Sequence, residues 1–185
     1  MLASNPDMLV INNEHHALHL GDVGLNAELV KSHDYDENRG MLTYAKYFFE
    51  KLRLSEPFSI TIEREGSERQ EKAVMLAIGN ARKCGTGIPI NLEGDPTNGK
   101  FELVLIKALN AKLLIQAGLS ALNEVFQDGE NLAVFSATIA KVRFDVARTL
   151  QLDGELIGEF SELQIKILPG AVKLIMTARN PYLPV

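Results

Sequence analysis

Thr149 to Phe160 reads TLQLDGELIGEF, and the meaning of its centre, Asp153-Gly154-Glu155, decides the architecture. Leu150, Leu152 and Ile157 are spaced for one face of a pleated, half-buried ribbon. Asp-Gly is the pair that a two-residue hairpin turn prefers, because glycine reaches positive φ at little steric cost. The stretch therefore predicts two antiparallel strands joined by a tight turn from which Asp153 and Glu155 project. Two carboxylates on a rigid turn can divide the work of general base and of metal or phosphate organiser. An ordinary solvent-exposed hairpin gives the same local pattern, so the rest of the chain has to decide between them.

Outward from this turn, apolar residues recur in short blocks: Leu132 to Phe135, Ile139 to Phe144, Thr149 to Leu152, Leu156 to Phe160, Leu163 to Leu168 and Val172 to Met176. Many short strands separated by turn residues point to a sandwich or barrel, not to a parallel sheet with crossover helices. Upstream, Phe58, Ile60 and Ile62 alternate with Ser59, Thr61 and Glu63 as a strand. The turn Gly66-Ser67-Glu68 leads to a second strand over Lys72 to Ile78. Phe101 to Ile106 is a further strand behind the Asn98-Gly99 turn, and Met8 to Leu20 reads as two strands about Asn12-Asn13. Three segments carry helical spacing: the stretch from Gly21 with Val23, Leu25, Leu29 and Val30, the run Gly40 to Leu54, and Asn110 to Phe126. The expected fold is one mainly β domain over residues 1–185, an antiparallel sandwich with a few helices.

Composition narrows the function. The chain has 185 residues, 46% of them hydrophobic and 23% charged, which suits a domain with a real core. No apolar run approaches the roughly 18 to 20 residues that a membrane-crossing helix needs. One cysteine, Cys84, excludes an internal disulfide and fits a reducing compartment, so the cytoplasm is the expected location. A net charge of −5 and the absence of tryptophan argue against nucleic acid as a partner, which calls for clustered cations and stacking rings. His15, His16 and His19 beside Glu14 suggest a zinc site, but adjacent residues on a strand face opposite ways and no Cys or Asp cluster completes the set. The glycine-rich stretch Gly79 to Leu105 matches neither the P-loop nor the dinucleotide pattern.

In order, these pieces resemble the C-terminal domain of the diacylglycerol kinase and sphingosine kinase-like lipid kinases, bacterial members included. The likeness is carried by ALHLGDVGLNAELV (Ala17 to Val30), GMLTYAKYFFEKL, PFSITIERE, KAVMLAIGNARKCGTGIPINLEG, NGKFELVLIKAL, and LQLDGE before ILPGAVKLI. The resemblance implies the second, sandwich domain of the NAD kinase and diacylglycerol kinase-like fold. It implies transfer of the ATP γ-phosphoryl group to a lipid hydroxyl, with ATP and Mg2+ as cofactors and a lipid as substrate. Glu155 would be the base that deprotonates the lipid hydroxyl, and Asp153 would lie close to the nucleotide and its magnesium. The loop with Asn80, Gly85 and Gly87 would face the substrate cleft. A structural magnesium would sit on Asp95, Asn98 and the carbonyl of Lys100, although Asn98 stands where the family has an acidic residue.

The family's nucleotide-binding half, with its Gly-Gly-Asp-Gly-Thr loop, has no counterpart in this sequence, and a missing N-terminal domain would be the necessary partner. ATP and Mg2+ are therefore not expected to bind tightly to this chain alone, and catalysis by it in isolation is not expected. The rival reading is a non-catalytic β-sandwich that binds a lipid or a protein. An NAD kinase relative shares the two-domain plan, but no dinucleotide-reading residues support it. Exposed strand edges leave room for a homodimer, and a lipid substrate brings the domain to the membrane periphery.

Overall fold

The computed structural model describes residues 2–24, 55–80, 94–107 and 132–176, and within them every regular element is a β-strand. They are β1 (Leu2–Ser4), β2 (Met8–Ile11), β3 (His15–Ala17), β4 (Leu20–Gly24), β5 (Phe58–Arg64), β6 (Ser67–Ala73), β7 (Met75–Gly79), β8 (Phe101–Ile106), β9 (Leu132–Ala137), β10 (Ile139–Leu152), β11 (Glu155–Leu168) and β12 (Leu174–Met176). The helices expected over Gly40 to Leu54 and Asn110 to Phe126 lie outside the described residues, as does the segment from Leu25 onward.

The organising element is the long hairpin β10–β11, two strands of 14 residues each. Asp153 and Gly154 both have positive φ, 48° and 98°, as the tight turn requires. The outer edge of β10 has two different neighbours. Lys141 to Phe144 pair with Glu63 to Ile60 of β5, whereas Leu150 to Leu152 pair with Val23 to Gly21 of β4. Between them the register jumps: Arg143 faces Glu162 and Arg148 faces Phe160, so four residues of β10 stand opposite Ser161 alone. Such a bulge bends and twists a strand. The ten-stranded sheet thereby divides into two layers that share the hairpin, β3-β2-β11-β10-β5-β6 and β11-β10-β4-β7-β8-β9. One core fills the space between them, with Leu9, Ile11, Ile60, Val142 and Ile165 from the first layer and Val23, Ile78, Phe101, Leu103 and Leu150 from the second. This is the expected sandwich.

Several local expectations are corrected. Lys72 to Ile78 is not one strand: β6 ends at Ala73, Val74 turns the corner, and β7 joins the other layer. The partner of β5 begins at Ser67, after a turn at Glu65-Gly66, and its SERQEKA sequence lacks apolar alternation because it is an exposed edge. Gly21 to Gly24 belong to a central strand and not to a helix. Leu20 to Gly24 pair with β7 while Gly21 to Val23 also pair with β10, and a Cβ on Gly21 would come within 2.6 Å of the Leu152 side chain. The blocks at residues 139–144 and 149–152, read as two strands, are one, and so are those at 156–160 and 163–168.

Asp145 braces the bulge. Its carboxylate accepts the amides of Ser59 (3.1 Å) and Val146 (2.9 Å) and the Arg148 guanidinium (3.2 Å). Arg148 in turn lies 4.5 Å above the Phe58 ring. The Ser59 amide first, and then Arg148 and Val146, hold the Asp145 carboxyl below its ordinary range against the opposing effect of desolvation. A depressed folded-state value stabilises above the unfolded value and is lost as pH falls through the folded one. The gap in urea midpoint between wild type and Asp145→Asn is therefore expected to be open at about pH 6, to narrow as pH falls below about 4, and to close only below the folded-state value. A gap that stays constant over that range would deny the carboxylate this role.

Candidate functional site at the hairpin end of the sandwich

The shared hairpin delivers its turn to the corner where the chain crosses from β3 to β4. Asp153 anchors itself there. Its Oδ2 accepts the Leu18 amide at 2.7 Å, and its Oδ1 accepts those of His19 (3.0 Å) and Leu20 (2.9 Å). The Asp153 amide donates back to the Leu20 carbonyl at 2.8 Å. Three successive amides aimed at one carboxylate hold an anion well. Asp153 is thus committed to the backbone of its own domain. Glu155, on the far side of the same turn, is exposed, and its carboxylate makes no hydrogen bond or ion pair among the described residues.

Asn80, at the end of β7, continues the network. Its Nδ2 donates to the carbonyls of Leu18 and Asp7, both at 2.9 Å, and its amide donates to the His19 carbonyl at 3.1 Å. Two carbonyl acceptors fix which end of the side-chain amide is nitrogen. The Oδ1 is left buried without a hydrogen-bond partner among the described residues. The structure thus brings the expected residues Asp153, Glu155 and Asn80 to one end of the sandwich. Gly85 and Gly87 lie outside the described residues.

A residue not singled out from the sequence ties in the third group. Asp7 is 2% exposed, and its Oδ2 accepts the Gly99 amide at 2.6 Å while its Oδ1 accepts the Gly170 amide at 2.8 Å. Its own amide donates to the Pro96 carbonyl at 2.7 Å. The loop Asp95 to Lys100 is thereby joined to Asn80 through one residue. Only a charged side chain in the turn-like Asn5-Pro6-Asp7, immediately before the apolar MLVI, hinted at this in the sequence.

Two of the oxygens expected to hold a magnesium ion on that loop are engaged locally. Asp95 Oδ1 accepts both the Thr97 amide (2.9 Å) and the Thr97 hydroxyl (2.7 Å), and Asn98 Oδ1 accepts the Lys100 amide (2.8 Å). Asp95, Asn98 and the Lys100 carbonyl would offer one formal charge, and two of the three donors already serve as caps for amides. This arrangement does not fit a hard divalent cation. Among the described residues no group of three His, Cys, Asp or Glu could hold a metal, and His15 instead packs edge-on against Phe160 at 5.8 Å.

A bent two-layer sandwich of this form is seen in solved bacterial structures. A Bacillus anthracis str. Sterne protein named "putative diacylglycerol kinase" superposes with a TM-score of 0.73 at 20% identity, covering 96% of this chain and 59% of its own. A diacylglycerol kinase structure from the same strain gives 0.62 at 16% identity, covering 96% and 55%. The fold is therefore that of the C-terminal domain of diacylglycerol kinase-like proteins. The chain belongs to the family of the YegS C-terminal NAD kinase beta sandwich-like domain, whose model matches residues 22–176. A curated relative from Yersinia enterocolitica, "Probable lipid kinase YegS-like", is 24% identical over 172 residues, which are 90% of this chain and 55% of that protein. The chain spans a little over half the length of the relatives it matches. Among the described residues no helix is long and apolar enough to cross a membrane.

Proposed function

We propose that this domain is the substrate-binding and catalytic-base half of an ATP-dependent kinase for a diacylglycerol-like lipid, acting with a nucleotide-binding domain that supplies ATP and its magnesium. The observation that carries the reading is the division of labour on the Asp153-Gly154-Glu155 turn. Asp153 is spent on three backbone amides, which fixes the turn, and the Glu155 carboxylate is left exposed at its rim without a partner among the described residues. Phosphoryl transfer asks a protein for positioning, charge neutralisation and a base at the nucleophile. Glu155 is the base in this reading, and Asp153 is the residue that aims it. The buried Asn80 Oδ1, without a hydrogen-bond partner among the described residues, adds an acceptor for a substrate hydroxyl on the neighbouring corner. The family and the curated lipid-kinase relative support the reaction class. A cytoplasmic domain meeting its lipid at the membrane surface follows from the same reading.

A second reading, a sandwich that binds lipid or protein without chemistry, is favoured by the structural use of Asp153. The two separate when the chain is joined to the nucleotide-binding half of the Yersinia lipid kinase relative and assayed for transfer of labelled γ-phosphate to diacylglycerol in mixed micelles. Under the first reading the hybrid is active, and Glu155→Gln lowers its turnover by at least about a hundredfold. The melting temperature then moves by no more than about 2 °C, as befits an exposed side chain. Unchanged turnover in Glu155→Gln would remove the base from Glu155. A well-folded but inactive hybrid would favour the second reading.

A further inference from the structure

The amides of the loop Asp95 to Lys100 are satisfied from Thr97 on, three of them within the loop and one by Asp7. Each amide from Thr97 to Lys100 has an acceptor: Asp95 Oδ1 for Thr97, the Asp95 carbonyl for Asn98 at 3.3 Å, Asp7 Oδ2 for Gly99, and Asn98 Oδ1 for Lys100. All four polar groups of Asp7 are used as well. The amide holds the Pro96 carbonyl, the carbonyl takes Asn80 Nδ2, and the two carboxylate oxygens take Gly99 and Gly170. Gly99 and Gly170 lie at φ of 73° and 60°, so both amides are presented by left-handed turns that other residues adopt with strain.

A cation that pins a loop works by gathering oxygens, whereas here a buried anion gathers N–H groups. Two of the side-chain oxygens a cation would draw on, Asp95 Oδ1 and Asn98 Oδ1, are already bonded to hydrogens of the loop itself. We propose that Asp7 does for the Asp95 to Lys100 loop what a bound ion would otherwise do, so that the loop, and through it the Asn80 corner, keeps its shape without a divalent cation. Asp7 is then a positioning residue. It holds one amide each from the loop and from the Pro169-Gly170 turn, and its carbonyl holds the Asn80 side chain that in turn grips the Leu18 carbonyl. The inference stands whether or not the domain takes part in phosphoryl transfer.

The test uses the full 185-residue chain and two kinds of readout. In the first, wild-type protein is melted in EDTA and in millimolar MgCl2 at matched ionic strength, and amide spectra are recorded with substoichiometric Mn2+. Equal melting temperatures, and no paramagnetic broadening centred on Thr97 to Lys100, are expected. A saturable rise with magnesium that Asn98→Ala abolishes, or broadening centred on this loop, would overturn the proposal. In the second, Asp7→Asn is expected to lower the melting temperature by at least about 5 °C. Hydrogen exchange should accelerate at Gly99 and Gly170 relative to the Ile165–Ile11 ladder, and magnesium should restore neither quantity. Wild-type exchange at both glycines in Asp7→Asn would equally overturn it. Should that variant fail to fold, the wild-type cation measurements decide alone.

Discussion

Replacing Asp153 with alanine is expected to lower the melting temperature by about 6–12 °C, corresponding to about 3 kcal/mol of lost stability for a chain of this size. The loss comes from the amides left without an acceptor and not from the carboxylate's exposure. Leu18, His19 and Leu20 present three successive N–H groups to one side chain, at 2.7, 3.0 and 2.9 Å. A hydrogen bond to a charged group contributes about 1.5–3 kcal/mol, and water can replace part of it at the two more exposed positions. The Leu20 amide is part-buried and has the least recourse to solvent. Asp153→Asn, which retains one carbonyl oxygen, is expected to fall between wild type and Asp153→Ala. Differential scanning calorimetry of the three proteins gives the order, and amide exchange at residues 18–20 locates the loss. A melting temperature for Asp153→Ala within about 1 °C of wild type would mean that water satisfies all three amides equally well.

Truncation of Phe101 to alanine is expected to be at least as costly, about 4 kcal/mol, or a fall of about 8–16 °C. Phe101 is fully buried at the start of β8, in the one core cluster that also holds Leu9 and Ile11 of β2, Ile60 of β5 and Val142 of β10. Its neighbours stand on strands that are hydrogen-bonded on both sides, Leu103 on β8 and Ile78 on β7, so the space cannot collapse without moving a ladder. Phe101→Leu keeps most of the volume and is expected to lose less than about 1.5 kcal/mol. Urea midpoints measure both variants. A fall in midpoint with an unchanged slope would show that the loss is packing and not a change in the unfolded ensemble. Equal losses for Leu and Ala would refute the cavity argument.

How much of this was legible beforehand follows from the range of the forces involved. PFSITIERE announced β5 because its period of two is written in six consecutive residues, and the Asp153-Gly154 turn was legible because positive φ is a local requirement. The unity of β10 was not legible. Asp145, Val146 and Ala147 are exposed at the bulge and break the apolar pattern, yet the ladder with β11 resumes beyond them. β6 was hidden for a related reason, since an edge strand has little apolar face to display. That Asp153 and Glu155 share one turn is legible locally, but the anchoring of Asp153 is not, because the amides that occupy it lie 133 to 135 residues away in sequence. Asp7 escaped for the same reason, with partners 92 and 163 residues distant. Local grammar places a carboxylate; only the closed fold tells which hydrogens reach it.

The sharing of β10–β11 between both layers has a consequence for inheritance. In a sandwich made of two self-contained sheets, either half can be duplicated, exchanged or lost while its mate persists. Here the same two strands furnish a wall to each chamber, so a recombination break placed within residues 139–168 leaves neither offspring a whole sheet. A break there is expected to leave both products without a closed core.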